Sequence, residues 1–124
     1  MRLVADASSL VGELVRRRGQ ELVAHPALEL YIAEPTYSET RYELRRRVAA
    51  MVRRGRMTVA PVPPAAYAAF EAEARRRIPR DPADWPTVAL ALALDAAIWT
   101  HDSDFLGCGL ATWTTGTLLA WLER

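Results

Sequence analysis

The chain contains no lysine; all 16 of its basic residues are arginine. That absence removes every mechanism that needs an amine at the reacting centre. A GC-rich coding sequence explains the arginine bias without any function. Cysteine is nearly absent too: Cys108 stands alone, so no internal disulfide forms, and a reducing cytoplasm is the expected setting. With one cysteine and two histidines, a structural zinc site is not expected. The apolar run in "MRLVADASSL" is too short for a signal peptide. The longest run, "VALALALDAAIW", is interrupted by Asp95 and falls short of the ~20 residues of a membrane span.

What is present suits one domain, residues 1–124, with a single core, since 51% of the 124 residues are hydrophobic. Net charge is only +1, so the chain is no bulk polycation. Its arginines nevertheless cluster at 16–18, 45–47, 53–56 and 75–77. Two explanations stand side by side: cations at helix C-termini, where they complement the macrodipole, and cations that bind phosphate.

Periodicity predicts alternating strands and helices. "RLVADAS" (2–8) is a strand running into polar residues. Ser8 or Ser9 can cap a helix carrying Leu10, Val11, Leu14 and Val15, which Gly19 interrupts. A short helix over 21–24 stops at Pro26, and "LELYIA" (28–33) is the second strand. A helix from Thr36 to Arg54, a strand over 57–62 and an alanine-rich helix over 63–77 follow. After a proline-punctuated loop, Asp84 caps a helix over 85–96. "AIWTH" (97–101) is the fourth strand, 110–115 a possible fifth, and the chain ends in a helix. This alternation implies a three-layer α/β/α sandwich around a mostly parallel sheet of four to five strands.

In such a sheet the chemistry gathers at the C-terminal strand ends. Asp6 ends the first strand; Asp102 and Asp104 follow the fourth. Glu39 lies early in the helix after strand two, with Glu43 one turn on along the same face. Asp84 opens the helix before strand four, on an edge that the sequence leaves open, and Asp81 competes with it. Taken singly, each acid also suits a cap, a turn or a solvated helix face. If they converge, their mutual repulsion calls for a hard divalent cation, Mg²⁺ or Mn²⁺. His25 lies beside a proline turn, and His101 is expected to point away from Asp102, so neither replaces a carboxylate.

The segments "LVADASSLVGELVRR", "YSETRYELRRR", "DWPTVALALAL" and "IWTHDSDF" occur in the order found in PIN-domain ribonucleases. The chain resembles that family, specifically the single-domain type that includes VapC-like toxins of toxin–antitoxin pairs. The resemblance implies a PIN-like fold in which Asp6, Glu39, Asp84 and Asp102 bind the metal and carry catalysis, with Asp104 as an accessory. Glu43 is the alternative to Glu39. Ser8 and Thr100 are implied to position water or phosphate, and Arg45, Arg46, Arg75 and Arg76 are candidates for holding RNA.

The expected activity is Mg²⁺- or Mn²⁺-dependent cleavage of RNA phosphodiesters. The expected partners are an RNA substrate, a cognate antitoxin and a second copy in a homodimer, with no membrane. The four tryptophans, Trp85, Trp99, Trp113 and Trp121, offer area for such a dimer or fill the core. Phosphatases and receiver domains that phosphorylate an aspartate ordinarily use a lysine, which is missing here. The non-enzymatic alternative is a catalytically inactive PIN-like module that binds nucleic acid or protein.

Overall fold

In strand β1 (Arg2–Ala5), Leu3 and Ala5 turn to one face of the sheet and Val4 to the other, all three fully buried. A strand apolar on both faces belongs in the middle of a covered sheet. β1 is paired on one side with β2 (Glu29–Ala33) and on the other with β4 (Ala97–Trp99). Beyond β2 lies β3 (Val59–Val62), and beyond β4 lies β5 (Thr112–Trp113). The order across the sheet is β3-β2-β1-β4-β5, and every pairing is parallel. Residues 1–34, 46, 49–50 and 59–124 are described by this computed structural model.

Among the described residues, five helices of at least seven residues cover the two faces. Against one face pack α1 (Ala7–Leu14), α2 (Arg17–Val23) and α5 (Thr115–Leu122), through Leu10, Leu14, Leu22 and Leu118 on Leu3, Leu30 and Trp99. Against the other pack α3 (Glu71–Arg77) and α4 (Trp85–Leu94), through Ala74 and Val88 to Ala91 on Val4 and Ile98. α4 is buried nearly all round in its first two turns, as its unbroken run of apolar residues requires. The expected three-layer α/β/α sandwich is therefore present, with five strands.

Several boundaries differ from the expectation. The first helix is interrupted at Val15–Arg16 rather than at Gly19, which lies inside α2 and is buried. A Cβ at Gly19 would fall on the Glu13 carbonyl, so glycine is what lets α2 fold back onto α1. α2 is correspondingly longer than the helix read over 21–24. The segment 63–77 is two 3₁₀ turns, Pro64–Ala66 and Ala68–Phe70, before α3 begins. Pro63 and Pro64 cannot donate backbone hydrogen bonds and delay the helix. α4 stops at Leu94 because Asp95 takes a left-handed conformation, φ 51°.

Pro61 sits inside β3 opposite Ile32, which an edge strand tolerates. Of the helix expected over 36–54, Arg46, Ala49 and Ala50 are described, and they are helical. Trp99 is core; Trp85 and Trp113 are half-buried and Trp121 is exposed. No helix among the described residues is long and apolar enough to cross a membrane.

Candidate active site

The strand order reverses direction between β1 and β4, and the C-terminal ends of these two strands lie side by side. Ala5 pairs with Trp99, and the Asp6 N–H donates to the Trp99 carbonyl at 3.0 Å. An open parallel sheet forms its crevice at such a reversal. Asp6 and Thr100 therefore leave the sheet as neighbours. The Thr100 hydroxyl donates to Asp6 Oδ2 at 3.1 Å, joined by the hydroxyls of Ser8 at 3.1 Å and Ser9 at 3.3 Å. Three donors on one oxygen fix the carboxylate's orientation. Asp6 Oδ1 has no hydrogen-bond partner among the described residues.

Asp6 occupies the N-cap position of α1, yet its side chain makes no cap bond, and neither Ser8 nor Ser9 caps the helix. The hydroxyls are turned onto the carboxylate instead. The same hydroxyl of Thr100 accepts the Asp102 N–H at 3.0 Å, and Asp102 Oδ1 accepts the Asp104 N–H at 2.9 Å. Thr100 thus links the first acid to the third. Asp104 serves through its backbone in this turn.

Asp84 reaches the same edge. α4 returns the chain to the start of the parallel strand β4, so its N-terminus lies at the strands' C-terminal ends. The carboxyl of Asp84 is pushed up to about 6, first by burial and then by the charge of Asp81. The charges of Asp6 and Asp102 and a side-chain hydrogen bond with Asp81 push in the same direction. The charges of acids from two distant stretches of chain, Asp6 and Asp102, therefore reach Asp84. Asp81, read as a competitor of Asp84, is its immediate neighbour here.

Their donor atoms are all carboxylate or hydroxyl oxygen, the set that hard divalent cations take. Among the described residues, however, no group of three histidine, cysteine or acidic side chains closes to metal-holding distance. Glu39, Glu43 and Arg45 lie outside the described residues. Arg46 is exposed, and so is Arg76 on α3. Arg75 pairs with Glu71 at 2.9 Å and lies over the Trp85 ring, 5.6 Å from its centroid.

The sequence reading passed over a second network beside the acids. Glu13 is 6% exposed, on the buried side of α1 with Leu10 and Leu14. Arg18 donates to both of its oxygens, at 2.9 and 3.2 Å. Burial acts to raise the Glu13 carboxyl, but Arg18's hydrogen bonds and charge, with the charges of His101 and Arg16, outweigh it and lower the value. His101 Nε2 lies 3.3 Å from Glu13 Oε1 and 2.9 Å from the Thr115 hydroxyl, which also accepts the Trp99 indole N–H at 3.0 Å. The His101 backbone N–H donates to Ser9 Oγ at 2.9 Å, and Ser9 in turn donates to Asp6. The available signal was Glu13 itself, an acid at a helix position whose neighbours at three and four residues are apolar.

A parallel α/β/α sandwich with an acidic crevice at its strand reversal defines the class. The chain belongs to the PIN domain family, whose family model matches residues 4–123. Its fold is similar to the crystal structure of FitAcB from Neisseria gonorrhoeae, with a TM-score of 0.56 at 15% identity, over 92% of this chain and 98% of that one. No curated protein sequence matches the chain.

Proposed function

We propose that residues 1–124 form one nuclease domain that hydrolyses RNA phosphodiesters with Mg²⁺ or Mn²⁺. Asp6, Asp84 and Asp102 hold the ion, Glu39 completes the set with Glu43 as its alternative, and Asp104 is an accessory. The observation that carries this reading is the bonding at the adjoining ends of β1 and β4, where the Thr100 hydroxyl donates to Asp6 and accepts the Asp102 N–H, with Asp84 near enough to feel the charges of Asp6 and Asp102. Membership of the PIN domain family supports it. A bound divalent cation supplies neutralising charge, polarises the phosphoryl group and lowers the pKa of a water. The chain supplies orientation. Ser8, Ser9 and Thr100 hold Asp6 by one oxygen, the other having no hydrogen-bond partner among the described residues, and Thr100 holds the Asp102 amide.

As in the VapC-like proteins that it resembles, the chain is proposed to act as the toxin of a toxin–antitoxin pair. It would be blocked by a cognate antitoxin and would work in the cytoplasm as a homodimer. Arg45, Arg46, Arg75 and Arg76 are proposed to hold RNA. The test is cleavage of structured RNA in Mn²⁺ by wild type, Asp6→Asn and Asp84→Asn. Both variants are expected to lose activity by about a hundredfold or more, and cleavage that survives Asp6→Asn rejects the assignment.

The second reading is a catalytically inactive PIN-like module that binds nucleic acid or protein. Metal titration separates the two. A working site gains melting temperature with Mn²⁺ by mass action, whereas a flat response across millimolar metal supports the inert module.

A further inference from the structure

The elbow between α1 and α2 places Arg16 and Arg18 beside the acidic crevice. Together with Ser8, Ser9, His101 and Asp102 they line an open cleft of about 510 Å³. Glu13 lies in the cleft as well, but its charge is already matched by Arg18. Arg16 makes no ion pair or side-chain hydrogen bond among the described residues, and it is exposed. Its charge reaches Glu13, but its guanidinium donors stay open to a phosphodiester that the neighbouring carboxylates would otherwise repel.

On the opposite side of His101 and Asp102 lies a smaller hollow of about 200 Å³, lined mainly by apolar surface. Its walls include Leu106, 68% exposed, the half-buried Trp113, and the hydroxyl-bearing Thr112, Thr114 and Thr117. An apolar wall with hydroxyls at its rim suits a flat heterocycle with polar edges.

We infer that a single RNA strand crosses this edge over Asp102, with a backbone phosphate on Arg16 and an unstacked base against Leu106 and Trp113. This deepens the ribonuclease reading and rests on it. It names two features that the arginine clusters alone did not: a phosphate seat formed by the first cluster, and a base seat that a duplex, with its bases stacked, cannot enter.

The test is binding of a short fluorescent single-stranded RNA, followed by anisotropy in chelator so that nothing is cut, at several salt concentrations. Arg16→Ala is expected to weaken binding at least about threefold and to reduce the slope of log affinity against log salt by about 0.7, the loss of one phosphate contact on a single strand. Leu106→Ala is expected to weaken binding of that RNA about fivefold while leaving an abasic ribose-phosphate strand unaffected. Arg17→Ala is the control, because Arg17 is 93% exposed, pairs with Glu21 and lies outside the cleft. All three positions are exposed, so the variants should fold, which circular dichroism checks.

If either test variant behaves like Arg17→Ala, the path is wrong. Binding of an acidic peptide in place of RNA, dependent on Arg16, also overturns it. A parallel cleavage assay in Mn²⁺ keeps the two readings apart. RNA bound through Arg16 but never cut upholds the path and sinks the hydrolase. RNA cut by wild type and Arg16→Ala alike, with the same salt slope, does the reverse.

Discussion

The Thr100 hydroxyl donates to Asp6 Oδ2 at 3.1 Å although 94 positions separate the two residues in the chain. The contact exists because β1 and β4 are adjacent and parallel, so both strands release their next residue at one edge. Thr100 is 4% exposed, and its oxygen also accepts the Asp102 N–H.

Thr100→Val keeps the shape and removes both bonds. It is expected to cost about 1–3 kcal/mol, because it leaves the Asp102 amide without its acceptor. Urea unfolding measures this. The same variant should show a smaller Mn²⁺-dependent gain in melting temperature than wild type, since Asp6 then keeps only the Ser8 and Ser9 hydroxyls and the Asp102 amide loses its acceptor.

Asp84 predicts a pH dependence with a definite sign. Its folded pKa of about 6 stands above its ordinary 3.8. Between those values the folded chain keeps a proton that the unfolded chain has released. The contribution of Asp84 to stability is therefore complete below about pH 3.8 and is lost as pH rises through about 6. In chelator, Asp84→Asn should melt higher than wild type at pH 7, and the gap should shrink toward pH 4. Added Mn²⁺ should raise wild type alone. A gap that does not change with pH contradicts the crowding of acids around Asp84.

Glu13 predicts the opposite slope. Its carboxyl lies below the ordinary 4.5, because Arg18 and His101 outweigh the effect of burial. Its stabilising contribution is present above pH 4.5 and disappears as pH falls through the folded value. Glu13→Gln is expected to cost on the order of 1–2 kcal/mol near neutral pH, at the low end for a buried pair because the Arg18 side chain is 44% exposed. Melting curves at pH 7 and pH 3.5 check both the size and the loss of the effect.

Gly19→Ala tests the elbow that carries Arg16 and Arg18. The new methyl would meet the Glu13 carbonyl, so α2 must move away from α1. The expected cost is about 1–3 kcal/mol, as for other overpacked positions. Gly12→Ala is the comparison, because nothing lies within 4 Å of a Cβ there, and a helical alanine in open space is expected to be neutral or slightly stabilising.

The apolar runs of β1 and β4 were legible because a strand covered on both faces reads as unbroken hydrophobic sequence; Asp6 follows the first run directly and Asp102 follows the second after Thr100 and His101. The edge to which Asp84 belongs was not legible. A helix N-terminus carries no mark of direction until the strands around it are known to be parallel. Ser9, Glu13 and His101 were missed for a related reason. Ser9 and His101 meet because β1 and β4 end side by side, and the Glu13–Arg18 pair depends on α2 folding back at Val15–Arg16, where the sequence pointed instead to Gly19, whose function is close packing. The histidine was expected to turn from Asp102, and its ring is indeed engaged by Thr115 and Glu13.

By itself the sequence determined the alternation of strands and helices, the burial of both sheet faces, and a stock of acids with no lysine among the bases. These follow from the period of the apolar residues and from composition, which are local properties. Only the tertiary structure decided that Thr100 joins Asp6 to Asp102 at one edge, with Asp84 near enough to feel the charges of both, and that Arg18 is bound to Glu13 while Arg16 is left beside the cleft. Those facts depend on strand order, helix direction and one close helix–helix approach, which arise when distant segments pack together and are not encoded at any single position.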